Sequence, residues 1–207
     1  MTTKPLKRSR KAALVLMVPA ATMFIQGCGE QQVEAQVFST PDECAAFYNP
    51  PAQCQAAFAE AQALHPQVAP RYANKAECET DFGPGQCETA PERHQQGSFF
   101  MPMMMGFMAG QMLNRGGAAP AAGQLAGQQT AATSGRNTVP TQPLYKSRDD
   151  RATFRTASNT AVASQPGATR VNPSAVQPRP ATLARRGGFG AQAAQRATAA
   201  QRQSTGG

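Results

Sequence analysis

The residues best placed to do chemistry are sulfur-bearing: five cysteines, at 28, 44, 54, 78 and 87, and nine methionines, six of them between Met101 and Met112. Thiols can be oxidised to disulfides, hold soft metals or attack as thiolates, and clustered thioethers suit Cu(I). The spacing narrows this. Nine residues separate Cys44 from Cys54 and eight separate Cys78 from Cys87, which is too wide for a Cys-x-x-Cys redox motif or the short ligand loops of a zinc ribbon. His65 and His94 are the only histidines. One precedes a proline and the other lies in a polar stretch, so both read as solvated. No nucleophile and base, and no pair of carboxylates, is brought together by spacing, so the chain reads as non-enzymatic and without a cofactor.

Five is an odd number, and an exported chain that pairs its thiols leaves one over. Cys28 supplies its own explanation. Lys4, Lys7, Arg8, Arg10 and Lys11 precede an apolar run from Ala12 to Ile25, the layout of a bacterial secretory signal. Its 14 residues would extend ~21 Å as a helix, short of the ~30 Å hydrocarbon core. Ile25-Gln26-Gly27-Cys28 then matches a lipobox, with an aliphatic residue at −3, a small residue at −1 and the thiol that accepts diacylglycerol as a thioether. Gln26 is larger than the usual occupant of −2. The expectation is a signal peptide over residues 1–27, a lipid on Cys28 and a linker over residues 28–40. The protein would then be held at a membrane of the bacterial cell envelope, facing the periplasm. Gly29 in place of Asp favours the outer membrane.

The four remaining cysteines sit in a weak repeat: Thr40-Pro41-Asp42-Glu43-Cys44 with Gln53-Cys54, and Asn74-Lys75-Ala76-Glu77-Cys78 with Gln86-Cys87. Thr40 and Asn74 are N-cap residues, Pro41 suits a first helical position, and Glu77 completes a box with Asn74. Gln55 to Leu64 is rich in helix formers, and Pro66 and Pro70 end it. The repeat suggests local bridges, Cys44 to Cys54 and Cys78 to Cys87, among three possible connectivities. Together these elements predict a disulfide-stapled helical head over residues 41–95.

Residues 97–115 are the most apolar stretch outside the signal. They are read as a Met-rich helix after Pro102, with three uses open. The stretch packs as core; it contacts the membrane, a partner or a second copy through Phe99, Phe100, Met101, Met104, Gly106, Phe107, Met108 and Gly110, with Gly106 and Gly110 as a small-residue face; or its thioethers bind Cu(I) in a periplasmic metal or redox-stress role.

Charge divides the chain: +5 over residues 1–27, −7 over 28–114 and +10 over 115–207. Residues 116–207 are dominated by Ala, Gln, Thr, Ser, Pro, Gly and Arg. That composition predicts a disordered basic tail that touches anionic envelope components, because too little apolar surface is available to offset chain entropy. Arg185-Arg186-Gly187-Gly188-Phe189-Gly190 has the look of a nucleic-acid-binding RGG segment, but export excludes that partner.

Several segments together resemble the YgiB-like family of uncharacterised bacterial envelope proteins: "APRYANKAEC" (Ala69 to Cys78), "ECETDFGPGQC" (Glu77 to Cys87), "GSFFMPMMMGFMAGQML" (Gly97 to Leu113) and "RGGFG" (Arg186 to Gly190). The resemblance implies a lipoprotein or membrane-associated protein and assigns no activity. The expected fold is thus a small α-helical disulfide-stapled head, a Met-rich apolar helix and a largely disordered C-terminal tail.

Overall fold

The computed structural model describes residues 31–91, 98–110 and 139–205. The signal segment, Cys28, His94 and residues 111–138 lie outside these. Within the described chain four helices and eight strands follow one another: β1 (Val33–Phe38), α1 (Pro41–Ala46), α2 (Pro51–Val68), α3 (Lys75–Phe82), β2 (Cys87–Thr89), β3 (Phe100–Pro102), β4 (Gly106–Ala109), β5 (Gln142–Ser147), β6 (Asp150–Arg155), β7 (Ala161–Ala163), β8 (Gly167–Val171) and α4 (Ala191–Thr205).

The helix starts follow the capping chemistry. Thr40 Oγ1 accepts the Glu43 amide at 3.1 Å, Glu43 in turn accepts the Ser39 amide at 2.6 Å, and Asn74 Oδ1 accepts the Glu77 amide at 2.9 Å. Helix α2 runs past Gln55–Leu64 in both directions and carries Pro66 in its last turn. Its buried residues are Cys54, Ala57, Ala61, His65 and Val68, one helical stripe. Two alanines at its centre let the helix lie close on a sheet.

That sheet is the main departure from the expected fold. Six strands pair in the order β7-β6-β5-β4-β1-β8, every neighbour antiparallel. The two ends of the order, β7 and β8, are consecutive in sequence, and Thr169 Oγ1 donates to the Val162 carbonyl across them at 3.0 Å. The sheet is therefore nearly closed, like a small barrel. A helical head with a disordered tail is overturned: the architecture is mixed α/β, and β5 to β8 all come from the stretch read as a tail. The anchors there are Leu144, Tyr145, Phe154, Val162, Val171, Val176 and Phe189, all buried. They are sparse enough to vanish in an average over the segment, yet Leu144, Phe154, Val162, Val171 and Val176 fill a barrel whose other wall is β1 and β4, and Tyr145 and Phe189 pack outside it against Phe82.

Alternation along the strands assigns the faces. Ala35, Val37 and Met108 point into the barrel with Leu144, Phe154, Val162 and Val171. Phe38, Phe107 and Ala109 point outward against Cys44, Cys54, Ala57 and Ala61 of the first two helices. A third cluster joins Tyr72, Phe82 and Met101 to Tyr145 and Phe189. The described part of the Met-rich stretch, residues 98–110, is accordingly two strands, β3 and β4, in place of the expected helix. An added Cβ on Gly106 would stand 2.6 Å from the Phe38 carbonyl oxygen and 2.7 Å from Phe154, and one on Gly110 would collide with the Val139 carbonyl. These glycines admit backbone to backbone inside the fold instead of lining an exposed helix face.

Candidate functional site

The region richest in unmatched chemistry lies where α3, the β5–β6 hairpin and the C-terminal arm meet. After a 3₁₀ turn at Pro173–Val176, the arm runs beside residues 67–72. The Ala181 amide donates to the Gln67 carbonyl, and Arg71 exchanges backbone hydrogen bonds with Thr182 and Ala184 at 3.1 and 2.6 Å. Arg185 to Gly190 then turns over Asp81. This carboxylate is 5 % exposed and accepts the amides of Gly187 at 2.7 Å and Phe189 at 3.2 Å together with the Tyr72 hydroxyl at 2.9 Å. Phe189 inserts its ring 4.7 Å from Phe82 and 6.3 Å from Tyr145. Gly187, at φ +70°, and Gly190, at φ +105°, hold left-handed conformations that a side chain would strain. The Arg-Gly-Gly-Phe-Gly sequence is therefore a turn that docks on a carboxylate; its glycines serve the backbone and its Phe serves the core.

The next acid does the same job. Asp149 accepts the amides of Ala191 and Gln192 at the start of α4, at 3.3 and 2.9 Å, and the Ser147 hydroxyl at 2.5 Å. Partial burial opposes ionisation, but these hydrogen bonds outweigh it and hold the carboxyl below its usual range. Asp150 takes the Thr153 amide and pairs with the buried Arg155 at 3.0 Å; hydrogen bonds from Thr153 lead the causes that lower its pKa.

With these carboxylates turned inward, the cations around them are left over. Lys146, Arg148, Arg151, Arg185 and Arg186 form no ion pair among the described residues. Arg196 donates to the Gly187 carbonyl at 2.5 Å. Two clefts lie in this region, the first of them lined in part by the docked turn. One, of about 360 Å³, is lined by Thr80, Arg148, Asp149, Gln192 and Arg196 among others. The second, of about 220 Å³, is lined by Phe82, Gln86, Met103, Met105, Lys146 and Arg151.

The sulfur residues fall elsewhere. Disulfides join Cys44 to Cys54 and Cys78 to Cys87, with Cα separations of 5.8 and 6.2 Å; the pairing is the local one that the repeat suggested. The described thioethers fall into four settings, with Met103 and Met105 sharing one. Met101 lies in the cluster with Tyr72, Met104 packs beside Phe107, Met108 is inside the barrel, and Met103 and Met105 are partly exposed next to two cations. Of the residues expected to contact a membrane or partner, Met101, Phe107 and Met108 are buried, Gly106 and Gly110 are enclosed by backbone, and Phe99, Phe100 and Met104 are half-buried. They are core.

His65 is likewise not solvated. It is 8 % exposed, with Nδ1 2.8 Å from the Tyr145 hydroxyl and Nε2 3.1 Å from Glu88. Burial lowers its pKa, only partly offset by Glu88, and burial raises that of Tyr145. The trio ties α2 to β5 and β2 with both ring nitrogens engaged. Its position on the buried stripe of α2, eleven residues after Cys54 and four after Ala61, was the available signal. No helix among the described residues is long and apolar enough to cross a membrane.

Comparison with known proteins places residues 32–200 in a match to the family described as "Protein of unknown function (DUF1190)". A UPF0441 protein of Erwinia tasmaniensis is 32% identical over 205 residues, covering 92% of this chain and 85% of the relative. A UPF0441 protein of Klebsiella pneumoniae is 32% identical over 206 residues with the same coverage. No solved structure matches.

Proposed function

The chain belongs to the DUF1190 family, the YgiB-like proteins of unknown function, and from that premise we propose that it is a non-enzymatic, lipid-anchored protein of the bacterial envelope whose folded domain lays a cationic face against anionic lipid headgroups. The observation that carries this reading is the set of exposed arginines on the β5–β6 hairpin and the docked arm, Arg148, Arg151, Arg185 and Arg186, beside acids that spend their oxygens on backbone amides and on Arg155. Cations fixed on a folded surface pay less ordering entropy on contact than the same residues in a flexible tail. Each basic residue close to an anionic bilayer contributes roughly 1 kcal/mol, screened by salt.

The anchor in this reading is the thioether at Cys28, reached after removal of residues 1–27, at the periplasmic side and in the outer membrane by the Gly29 rule. The four thioethers read as Cu(I) ligands do not gather at one place: Met101 and Met104 lie in different hydrophobic clusters, and only Met103 and Met105 line a common cleft. The buried His65 has no free ring nitrogen to offer a substrate, which favours the non-enzymatic reading.

Two measurements test the proposal. The intact mass of protein extracted from membranes should show loss of residues 1–27 and added acyl chains on Cys28, and an unprocessed mass refutes the anchor. Purified protein carrying R148Q, R151Q, R185Q and R186Q should sediment far less with phosphatidylglycerol vesicles than the parent at low salt, and equally with phosphatidylcholine vesicles. Equal sedimentation of parent and variant on anionic vesicles refutes the cationic face.

A further inference from the structure

We propose that the 220 Å³ cleft between the α3–β2 turn, the β3–β4 loop and the β5–β6 hairpin is a binding site for a single phosphorylated amphiphile, its phosphate held by Lys146 and Arg151 and its first carbons lying on Met103, Met105 and Phe82. The sign of the ligand rests on the cationic-face reading; the apolar half of the site does not.

The cleft is built rather than left over. Its floor is Phe82, packed against Phe189 and Tyr145. The Met103 amide donates to the Gln86 carbonyl and the Met105 amide to the Leu144 carbonyl, both at 2.9 Å, so the loop bearing the two thioethers is pinned at each side. Yet Met103 is 40% exposed and Met105 39%, in a protein whose other methionines among the described residues are buried or half-buried. Flexible, polarisable thioethers presented on a fixed loop adapt to an apolar ligand.

The cations are positioned as well. Lys146 Nζ sits 3.9 Å from the centre of the Phe154 ring, which fixes the ammonium while leaving its outward N–H donors open. Arg151 lies against the backbone at Gly83, where a Cβ would stand 3.3 Å from Nη2. Neither has a carboxylate of its own. Glu79 holds Lys75 and the Gly85 amide, Asp81 the docked turn, Glu88 His65, Asp149 the start of α4 and Asp150 Arg155. A guanidinium and an ammonium lining one space, without an anion among the described residues to neutralise them, favour a multiply charged oxyanion such as phosphate. The volume lies below the roughly 300–1,000 Å³ of sites that enclose a whole drug-sized ligand, so the cleft takes a headgroup and its first carbons and leaves the remainder outside.

Titration calorimetry on the full processed protein decides the matter, with n-hexyl phosphate, dibutyroyl phosphatidylglycerol and inorganic phosphate as probes. Hexyl phosphate should bind at least about tenfold more tightly than inorganic phosphate, and K146Q or R151Q should each weaken it by about tenfold, the loss expected for one charge-assisted contact. M103Q with M105Q should remove the advantage of the hexyl chain and leave inorganic phosphate binding unchanged. Tighter binding of the diester identifies a membrane lipid as the source, and tighter binding of the monoester identifies a free phosphate ester. Equal affinity for hexyl phosphate and inorganic phosphate, or no effect of K146Q and R151Q, overturns the site. The variant R148Q, R185Q and R186Q leaves the cleft intact: loss of hexyl phosphate binding in it refutes the placement. Retained cleft binding in a protein that ignores anionic vesicles refutes the cationic face alone.

Discussion

Removing the carboxylate beneath the docked turn should release the C-terminal arm. In Asp81→Ala, three donors lose their acceptor: the Gly187 amide, the Phe189 amide and the Tyr72 hydroxyl. Tyr72 is 0% exposed and Phe189 5%, so water cannot replace the lost partner without opening the turn. Leaving one buried donor unsatisfied costs about 1–3 kcal/mol, and the three share one site, so the total is about 3–4 kcal/mol in place of a threefold sum. Because the arm can swing out while the barrel stays closed, the cost should fall on local opening. At about 1.4 kcal/mol per decade, 3 kcal/mol raises the open population roughly a hundredfold. Limited trypsin digestion reads this directly, since Arg185 and Arg186 lie in the turn and native cleavage tracks the open fraction when closing is fast. Initial cleavage after these arginines should rise by about two orders of magnitude in Asp81→Ala. Asp81→Asn should rise less, because its amide oxygen keeps part of the set. Cleavage unchanged in Asp81→Ala, with urea unfolding shifted only globally, would refute the latch and make Asp81 an ordinary buried carboxylate.

Other perturbations have signs that follow from the structure. Replacing Cys44 and Cys54 together by Ser reopens a loop closed across 10 residues and should cost about 2–3 kcal/mol in urea denaturation; an effect below about 0.5 kcal/mol would mean that the Phe38–Phe107 cluster holds the helices alone. Stability should fall with acid through His65: its folded pKa is depressed by burial, so the unfolded chain binds the extra proton, and the loss begins as pH drops through about 6.5, the unfolded value, and continues to the lower folded value. His65→Gln should flatten the urea midpoint between pH 7.5 and 5.5, and an unchanged slope would assign the dependence to other groups. Tyr48 is fully exposed at φ +64°, so Tyr48→Asn gives up no burial and relieves part of a left-handed strain of about 1–2 kcal/mol; melting should rise by a few degrees, and a lower melting temperature would show that the tyrosine contributes contacts of its own.

What could be read from residues was whatever depends on near neighbours. Thr40 with Glu43, Asn74 with Glu77, and the two short disulfide loops concern groups within ten residues of each other. The sheet depends on distant ones. Gly106–Ala109 holds Gly, Phe, Met and Ala, with no β-branched residue, and becomes a strand because β1 and β5 claim both its edges. Gln142–Ser147 contains Pro143, which argues against a central strand. It is tolerated because β6 pairs only at Tyr145 and Ser147, leaving the proline hydrogen-bonded to one neighbour at most. Asp81 and Gly187 are 106 residues apart, and no local pattern announces a carboxylate that waits for a turn. The same distance hid where Arg148, Arg151, Arg185 and Arg186 fall; they are legible as charge but not as a place.

The position of β1 in the strand order sets a schedule for the chain. The first strand among the described residues lies between β4 and β8, so one of its edges is satisfied only when the last strand of the sheet arrives. Until residues 167–171 emerge, Val33 to Val37 present an unpaired row of amides and carbonyls. The two disulfides, by contrast, need only residues up to 87 and can close far earlier. Oxidation can therefore hold the helices in shape as a template while the barrel waits for its final stave, and a chain cut short before β8 would keep its staples yet expose a sticky edge along β1.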